Sequence, residues 1–305
     1  MAPDGMQSRR GMTIAIASGK GGTGKTLVAT SLATALARNG VASLQLIDCD
    51  VEEPNAHMLM DVDVRHRQAV EVLVPSVNNA LCTHCGVCAE FCEANAIAVI
   101  REATIVFPDL CTGCGGCVIA CPEDAISEVP REVGWVVKGV ADPGIQFYQG
   151  WLNVGEARAR PVLTAAKSWI DPEAVAILDA PPGTACPMQE TVDGSDYTVL
   201  VAEQTPFGLN DLTLSIEVLR TLRVPFGVII NRDGLGDDSV EHYCATEDIE
   251  VLLRIPQSRD IAHAYAEGRN LVAAFPDWAA RLQDVFHRIA DRRLADAAGE
   301  SASDS

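Results

Sequence analysis

The sequence predicts an α/β fold: a mostly parallel sheet covered by helices, interrupted by a small α+β insertion. Three observations predict it. A short apolar strand leads into "SGKGGTGKT" at 18–26 and then into a helical pattern. Further apolar, partly β-branched runs alternate with amphipathic helical stretches, the pattern of parallel strands buried on both faces. Between them lies a segment that holds eight of the eleven cysteines in a tandem repeat.

Met12–Ala17 reads as the first buried strand, stopped by glycine. Residues 25–39 form the helix after it, with Gly40 placed to end it in the left-handed conformation. Residues 42–47 are the second strand. Later strands are expected at 174–178, 197–201, 226–230 and 250–255, with helices at 210–222 and 258–267 between them. Residues 134–138 and 145–149 alternate weakly around "ADPG", which predicts a β-hairpin. Residues 281–294 set Leu282, Val285, Phe286 and Ile289 at helical spacing, the pattern of a terminal helix packed on its own core. The expected organisation is a disordered extension at 1–11, a first segment of the main domain at 12–74, the insertion at 75–128, a second segment of the main domain at 129–294 and a disordered tail at 295–305.

Composition bounds the function. The 305-residue chain is 48% hydrophobic and carries a formal charge of −19. Such a charge argues against nucleic acid or an anionic membrane as partner. No apolar run approaches a membrane span. Arg9 and Arg10 precede an apolar run of only six residues, too short for an export signal, so a cytoplasmic protein without a stable membrane anchor is expected. Clustered cysteines in such a protein indicate metal more often than disulfides.

Gly19 to Thr26 fits G-x-x-x-x-G-K-[ST] between strand and helix, the context that gives this motif its meaning. Gly19, Gly21, Gly22, Thr23 and Gly24 would turn backbone N–H groups toward phosphate oxygens. Lys25 would neutralise the terminal phosphates and Thr26 would place its hydroxyl on Mg²⁺. Asp48 and Asp50 close the second strand in "LIDCD", and Asp179 closes a later one in "AVAILDAPPG". Ligands of open parallel sheets sit at the carboxyl ends of strands, so all three carboxylates are candidates for the phosphate site.

"GKGGTGKT", "DCDVEEPNAH", "DAPPGT", "INR" and "RIP", in this order, resemble the MinD, ParA and Mrp group of P-loop ATPases. The resemblance implies ATP as nucleotide, hydrolysis to ADP and phosphate that is slow without a partner, and a homodimer closed by ATP. It also explains a second lysine in the loop: Lys20 would cross the dimer interface to the partner's phosphates, as an arginine finger does. By the same resemblance Asp50 would position the attacking water in a first switch. Asp48 and Asp179 would join the Mg²⁺ shell, Asp179 within a second switch, and Asn231 and Pro256 would lie beside adenine.

The repeat reads "CTHCGVCAEFCEANAI" from Cys82 and "CTGCGGCVIACPEDAI" from Cys111, with a period of 29 residues. Both runs resemble the bacterial two-cluster ferredoxin, in which the fourth cysteine of each run ligates the other cluster. The resemblance implies one [4Fe–4S] cluster on Cys82, Cys85, Cys88 and Cys121 and another on Cys111, Cys114, Cys117 and Cys92. Two zinc sites are the competing reading. Glu93 follows Cys92 where proline is usual, which bears on local geometry and not on ligation. The whole chain thus resembles MinD-superfamily ATPases with an inserted ferredoxin domain.

Three functions follow. The first is an ATP-hydrolysing dimer that couples nucleotide state to electron transfer through two clusters, with a redox protein as partner. The second is a carrier delivering iron–sulfur clusters or metal to an acceptor protein. The third is a MinD-like positioning ATPase. Cys186, just past the second switch, could bridge a metal between two copies, although a small packed residue is the simpler reading. Cys49, Cys244 and His57 carry the same simple reading.

Overall fold

The computed structural model describes residues 11–303, with side chains through Leu294. The described chain divides into two compact units. The first comprises 11–67, 136–151 and 163–303; the second comprises 68–135 with 152–162.

The first unit is built on β1 (Met12–Ala17), α1 (Lys25–Arg38) and β2 (Leu44–Asp48), followed by one 3₁₀ turn at Ala56–Met58. β3 (Val62–Val77) leads away from it. The second unit then contributes α2 (Val87–Phe91), β4 (Ile97–Ile100), β5 (Ala103–Val106) and α3 (Gly116–Ala120). The chain returns through β6 (Ile126–Ala141) and β7 (Ile145–Leu152), α4 (Ala159–Lys167), β8 (Val175–Asp179) and α5 (Cys186–Val192). It closes with β9 (Tyr197–Glu203), α6 (Pro206–Leu222), β10 (Phe226–Asp233), α7 (Ser239–Thr246), β11 (Val251–Pro256), α8 (Arg259–Ala266), α9 (Leu271–Ala274) and α10 (Trp278–Ser303).

The main sheet has the order β11-β10-β9-β1-β8-β2-β7-β6-β3. Pairing is parallel from β11 through to β7. The three-residue turn at 142–144 makes β6 and β7 the expected hairpin. β1 lies between β8 and β9, where the strand order reverses, so the loop after β1 opens at the crevice where such sheets bind ligands.

The core explains the order. Ile14, Ile16, Leu46, Phe147 and Ile177 are buried in the sheet, and Leu32, Leu36, Leu282, Val285, Phe286 and Ile289 cover one face from α1 and α10. The terminal amphipathic helix therefore packs on its own core. Phe147 is fully buried in this cluster. Phe147→Ala is expected to cost about 3–5 kcal/mol, read as a lower midpoint in chemical denaturation with unchanged m-value.

Three expectations change. The second unit is wider than 75–128, because β3 and β6 each run sixteen residues and 152–162 is tied in by ion pairs. β3 was not legible because it is an edge strand. Arg65, His66, Arg67 and Gln68 are exposed and break the apolar alternation, as edges that resist pairing often do. The tail expected to be disordered at 295–305 continues α10 to Ser303; it is alanine-rich and contains no proline. The expected extension at 1–11 lies outside the described residues except for Gly11. Among the described residues no helix is long and apolar enough to cross a membrane.

Candidate functional site

β1 delivers the chain into the phosphate loop, and α1 begins at Lys25. Gly24 is the N-cap, at φ +97°, and offers no side chain to satisfy the first N–H groups of α1. These donors and the positive end of the helix dipole are left for an anion. A side chain at Gly24 would also meet Asn231: an added Cβ would lie 2.4 Å from Nδ2. The segment after β8 meets the same loop, where the Gly183 N–H donates to the Ser18 carbonyl at 3.1 Å.

A pocket of about 430 Å³ opens here. Gly21, Gly22, Gly24, Lys25, Thr26 and Asp50 line it, as do Asn231 and Pro256. Arg232, Gln257, Ile261 and Tyr265 join the lining, and sequence reasoning assigned none of these four to the site. Arg232 stands within the quoted "INR" and could have been found. Asn231 reaches the pocket with its amide engaged: Nδ2 donates to the Thr23 carbonyl at 2.6 Å, and Oδ1 accepts from Arg232 N–H at 2.9 Å. Its first task is to hold the phosphate loop.

The three strand-end aspartates separate by role. Asp48 and Asp179 are direct register partners on β2 and β8, and both are buried. Asp48 accepts four hydrogen bonds, from the N–H groups of Asp50 (3.1 Å), Asn55 (3.0 Å) and Ala56 (2.9 Å) and from Gln149 Nε2 (2.7 Å). Both of its oxygens are engaged, by the loop after β2 and by Gln149, so a Mg²⁺ ion at Asp48 would compete with these bonds. Asp179 is the opposite case. Neither oxygen has a hydrogen-bond partner, although the Thr26 hydroxyl is near enough to favour the charged form. Burial, then the Asp48 charge, pushes its pKa well up. A buried carboxylate without donors, beside a phosphate-loop threonine, has the chemistry of a hard-cation ligand. Asp50 lines the pocket with its pKa raised to about 6, by burial first and Asp48 second. Lys25 is held down by burial and drawn back by Asp179 and Asp50.

Lys20 does not line the large pocket. Its Nζ pairs with Glu203 Oε2 at 3.0 Å, and the other Glu203 oxygen takes Arg232 at 2.6 Å. Arg232 also donates to the Gly22 carbonyl at 3.2 Å. Glu203 is thus a buried counter-ion for two cations of the phosphate site. It ends β9 without a motif around it, which is why sequence reasoning missed it. Gly19 and Thr23 lie with Lys20 on this side of the loop.

Cys49 and Cys244 are buried, with burial pushing both thiols up, Cys244 to about 11. They are packed residues. Cys186 is exposed at the start of α5. His57 faces Gln149 at 3.0 Å and Trp151 at 5.5 Å between ring centroids, away from the nucleotide pocket.

In the second unit the cysteines gather around two hollows. One, enclosing about 10 Å³, is lined by Cys82, Cys85, Cys88 and Cys121. The other, enclosing about 20 Å³, is lined by Cys111, Cys114, Cys117 and Cys92. Each takes three cysteines from one run and the fourth from the other. Backbone N–H groups donate to the sulfurs of Cys92, Cys121 and Cys111, from Ala96 (3.3 Å), Ala125 (3.3 Å) and Gly113 (3.4 Å). No three His, Cys, Asp or Glu side chains among the described residues converge closely enough to hold a single ion. The thiols surround a space instead.

Residues 14–272 match the family described as CobQ/CobB/MinD/ParA nucleotide binding domain. An uncharacterized protein of Methanocaldococcus jannaschii is 34% identical over 230 residues, covering 74% of this chain and 80% of its own. The iron-sulfur cluster carrier protein of Synechocystis is 42% identical over 73 residues, 22% of this chain and 20% of that protein. The cell division ATPase MinD of Pyrococcus furiosus has TM-score 0.54 at 20% identity, covering 92% of this chain and 99% of that one. The septum site-determining protein MinD of Pyrococcus horikoshii, complexed with Mg-ADP, gives 0.53 at 18%, covering 92% and 95%. At these identities the likeness to both solved structures is one of fold. With the family match spanning most of its length, a phosphate loop opening on a large pocket and a parallel sheet whose order reverses beside that loop, this chain belongs to the CobQ/CobB/MinD/ParA nucleotide-binding domain family.

Proposed function

We propose that this chain binds MgATP, hydrolyses it slowly to ADP and phosphate as a nucleotide-closed homodimer, and couples nucleotide state to electron transfer through two [4Fe–4S] clusters. The observation that carries the nucleotide half is Asp179, a buried carboxylate with no donor beside the phosphate loop. Thr26 and Asp179 would hold the metal, which would neutralise charge on the terminal phosphates. The N–H groups of the loop and Lys25 hold the phosphates. Asp50 orients the attacking water. Asp48 fixes the first switch through its four hydrogen bonds, and Lys20 completes the partner's site on closure. Pro256 and Asn231 bound the adenine end of the pocket.

The cysteine half rests on two hollows with four thiols each. Four thiolates around a space fit a polynuclear cluster better than zinc, which draws its ligands to a point. The clusters would carry single electrons to and from a redox protein. Two other readings have support. The Synechocystis relative favours a cluster carrier, and the MinD likeness favours a positioning ATPase. Complete sets of four cysteines favour clusters that stay in place over clusters that are handed on.

The test is anaerobic reconstitution followed by iron and sulfide analysis, then EPR of the dithionite-reduced protein with and without MgATP. The proposal expects about eight irons per chain and a spectrum or midpoint that moves on adding MgATP. Clusters indifferent to nucleotide would favour the carrier or positioning readings. About two tightly held zinc ions and no EPR signal would remove the cluster half altogether.

A further inference from the structure

The two hollows arise from one repeated sequence, yet their surroundings differ. Cys82 and Cys111 are equivalent positions in the repeat. Beside the Cys82 sulfur stand Thr104 Oγ1 at 3.4 Å and His84 Nδ1 at 3.6 Å, themselves 3.1 Å apart. Each lining holds one acidic side chain, Glu123 here and Glu128 in the other hollow, and neither carries an arginine or lysine, so the difference lies just behind the ligands. At Cys111 the repeat has glycine in place of histidine, and the Gly113 N–H bonds the sulfur. The Cys111 carbonyl accepts a hydrogen bond from Arg158 Nη1.

Arg158 comes from outside both runs, in the segment 152–162 that belongs to this unit. Its orientation is fixed. Nε and Nη2 grip the two oxygens of Glu156 at 2.7 and 3.0 Å, leaving Nη1 for Cys111. The Glu156 side chain is only 3% exposed. Arg131 pairs with its far side at 2.5 Å and also reaches Asp109, which is exposed and water-screened. The four charges balance, but they are ordered: the guanidinium is the end that touches the cysteine loop. Its charge is permanent at any pH the protein meets.

We propose that Arg158 raises the reduction potential of the cluster on Cys92, Cys111, Cys114 and Cys117, making the two repeated sites inequivalent as electron acceptors. The inference rests on the two-cluster reading above. One-electron reduction by a low-potential donor adds one negative charge to the cluster and its thiolates. A fixed cation at the ligand loop stabilises that added charge, and local charge and hydrogen bonding are the protein's levers on such potentials. Arg158 acts through the ligand loop, so it is a positioning residue and not a ligand.

The test is an anaerobic redox titration with dithionite, followed by EPR, on the full chain. Arg158→Gln is expected to lower one of two midpoints and leave the other in place, at unchanged iron content. Arg158→Lys, which keeps the charge, should return the shifted midpoint most of the way. Thr104→Val, which removes the hydroxyl beside Cys82, should lower the other midpoint instead. If Arg158→Gln moves neither midpoint, or both equally, the inference is overturned. Iron lost from Arg158→Gln and Arg158→Lys alike marks a structural clamp and overturns it as well. A wild-type protein that binds no iron–sulfur cluster fails earlier, at the reading on which this one rests.

Discussion

Asp179→Asn is expected to make the unliganded protein more stable and its hydrolysis far slower. The two effects share one cause. In the unliganded protein Asp179 is buried beside Asp48 with no hydrogen-bond donor on either oxygen. Such a group destabilises the fold by about 1–3 kcal/mol, and the amide relieves the charge. The wild-type stability should carry a pH signature of the same strain. Asp179 has a folded pKa above its unfolded value, and Asp50 is raised to about 6. The native state therefore binds protons that the unfolded state has released. These groups stabilise fully only below about pH 4, and that contribution is lost as pH rises through about 6 for Asp50 and beyond for Asp179. Glu156 runs the other way, lowered to about 2 by Arg158, so its contribution persists across this window. Thermal unfolding from pH 5 to 8 should show the decline in the wild type, a flatter course in Asp179→Asn, and MgADP protection in the wild type alone. The variant's hydrolysis should fall by about 10²–10³-fold, as for loss of a group that stabilises developing charge. A variant less stable than the wild type, yet still protected by MgADP, would sink the assignment of Asp179 to the metal.

The comparison of Asp48 with Asp179 shows how far the sequence could be read. Both close a buried strand, both are followed by residues that resemble a switch, and on paper they are equivalent. Their difference lies in what folds back onto them. The loop after β2 returns three N–H groups to Asp48, and Gln149 on β7 adds a fourth donor, a contact between residues far apart in sequence. No local pattern encodes that. The strands of the parallel sheet were legible because burial on both faces leaves uninterrupted apolar runs. The phosphate loop was legible because its glycines answer to a local backbone demand, shown at Gly24, where positive φ and the Asn231 amide coincide. The grouping of the cysteines around two hollows follows what the resemblance to the two-cluster ferredoxin implies. Glu203, Gln149 and Arg158 were not legible, since each acts through a partner brought close by the fold. Charged residues at strand ends and in loops have too many ordinary uses for position alone to single them out.

Glu203 gives the second large effect its form. In the free subunit Lys20 is neutralised by a carboxylate that also holds Arg232, and Arg232 in turn bonds the Gly22 carbonyl of the phosphate loop. For Lys20 to reach a partner's phosphates it must leave Glu203. Arg232 remains to balance that carboxylate, so the exchange strands no buried charge, and the half-exposed lysine has little to lose in leaving. On the proposed trans role, the gain would appear only when a second subunit brings phosphate within reach, and closure would then depend on nucleotide. Lys20→Ala is then expected to bind ATP with near wild-type affinity but to remain monomeric in MgATP. Hydrolysis should fall by about 10³-fold or more, the worth of a charge supplied in trans. Glu203→Gln, with the restraint weakened, should dimerise at lower protein concentration, and the double variant should behave as Lys20→Ala. Light scattering against protein concentration, with fluorescent-nucleotide binding alongside, separates these outcomes. A monomeric wild type in MgATP that hydrolyses at the same specific rate at every concentration would show that Lys20 serves its own subunit. The Glu203 pair would then be a support for the phosphate loop and no switch at all.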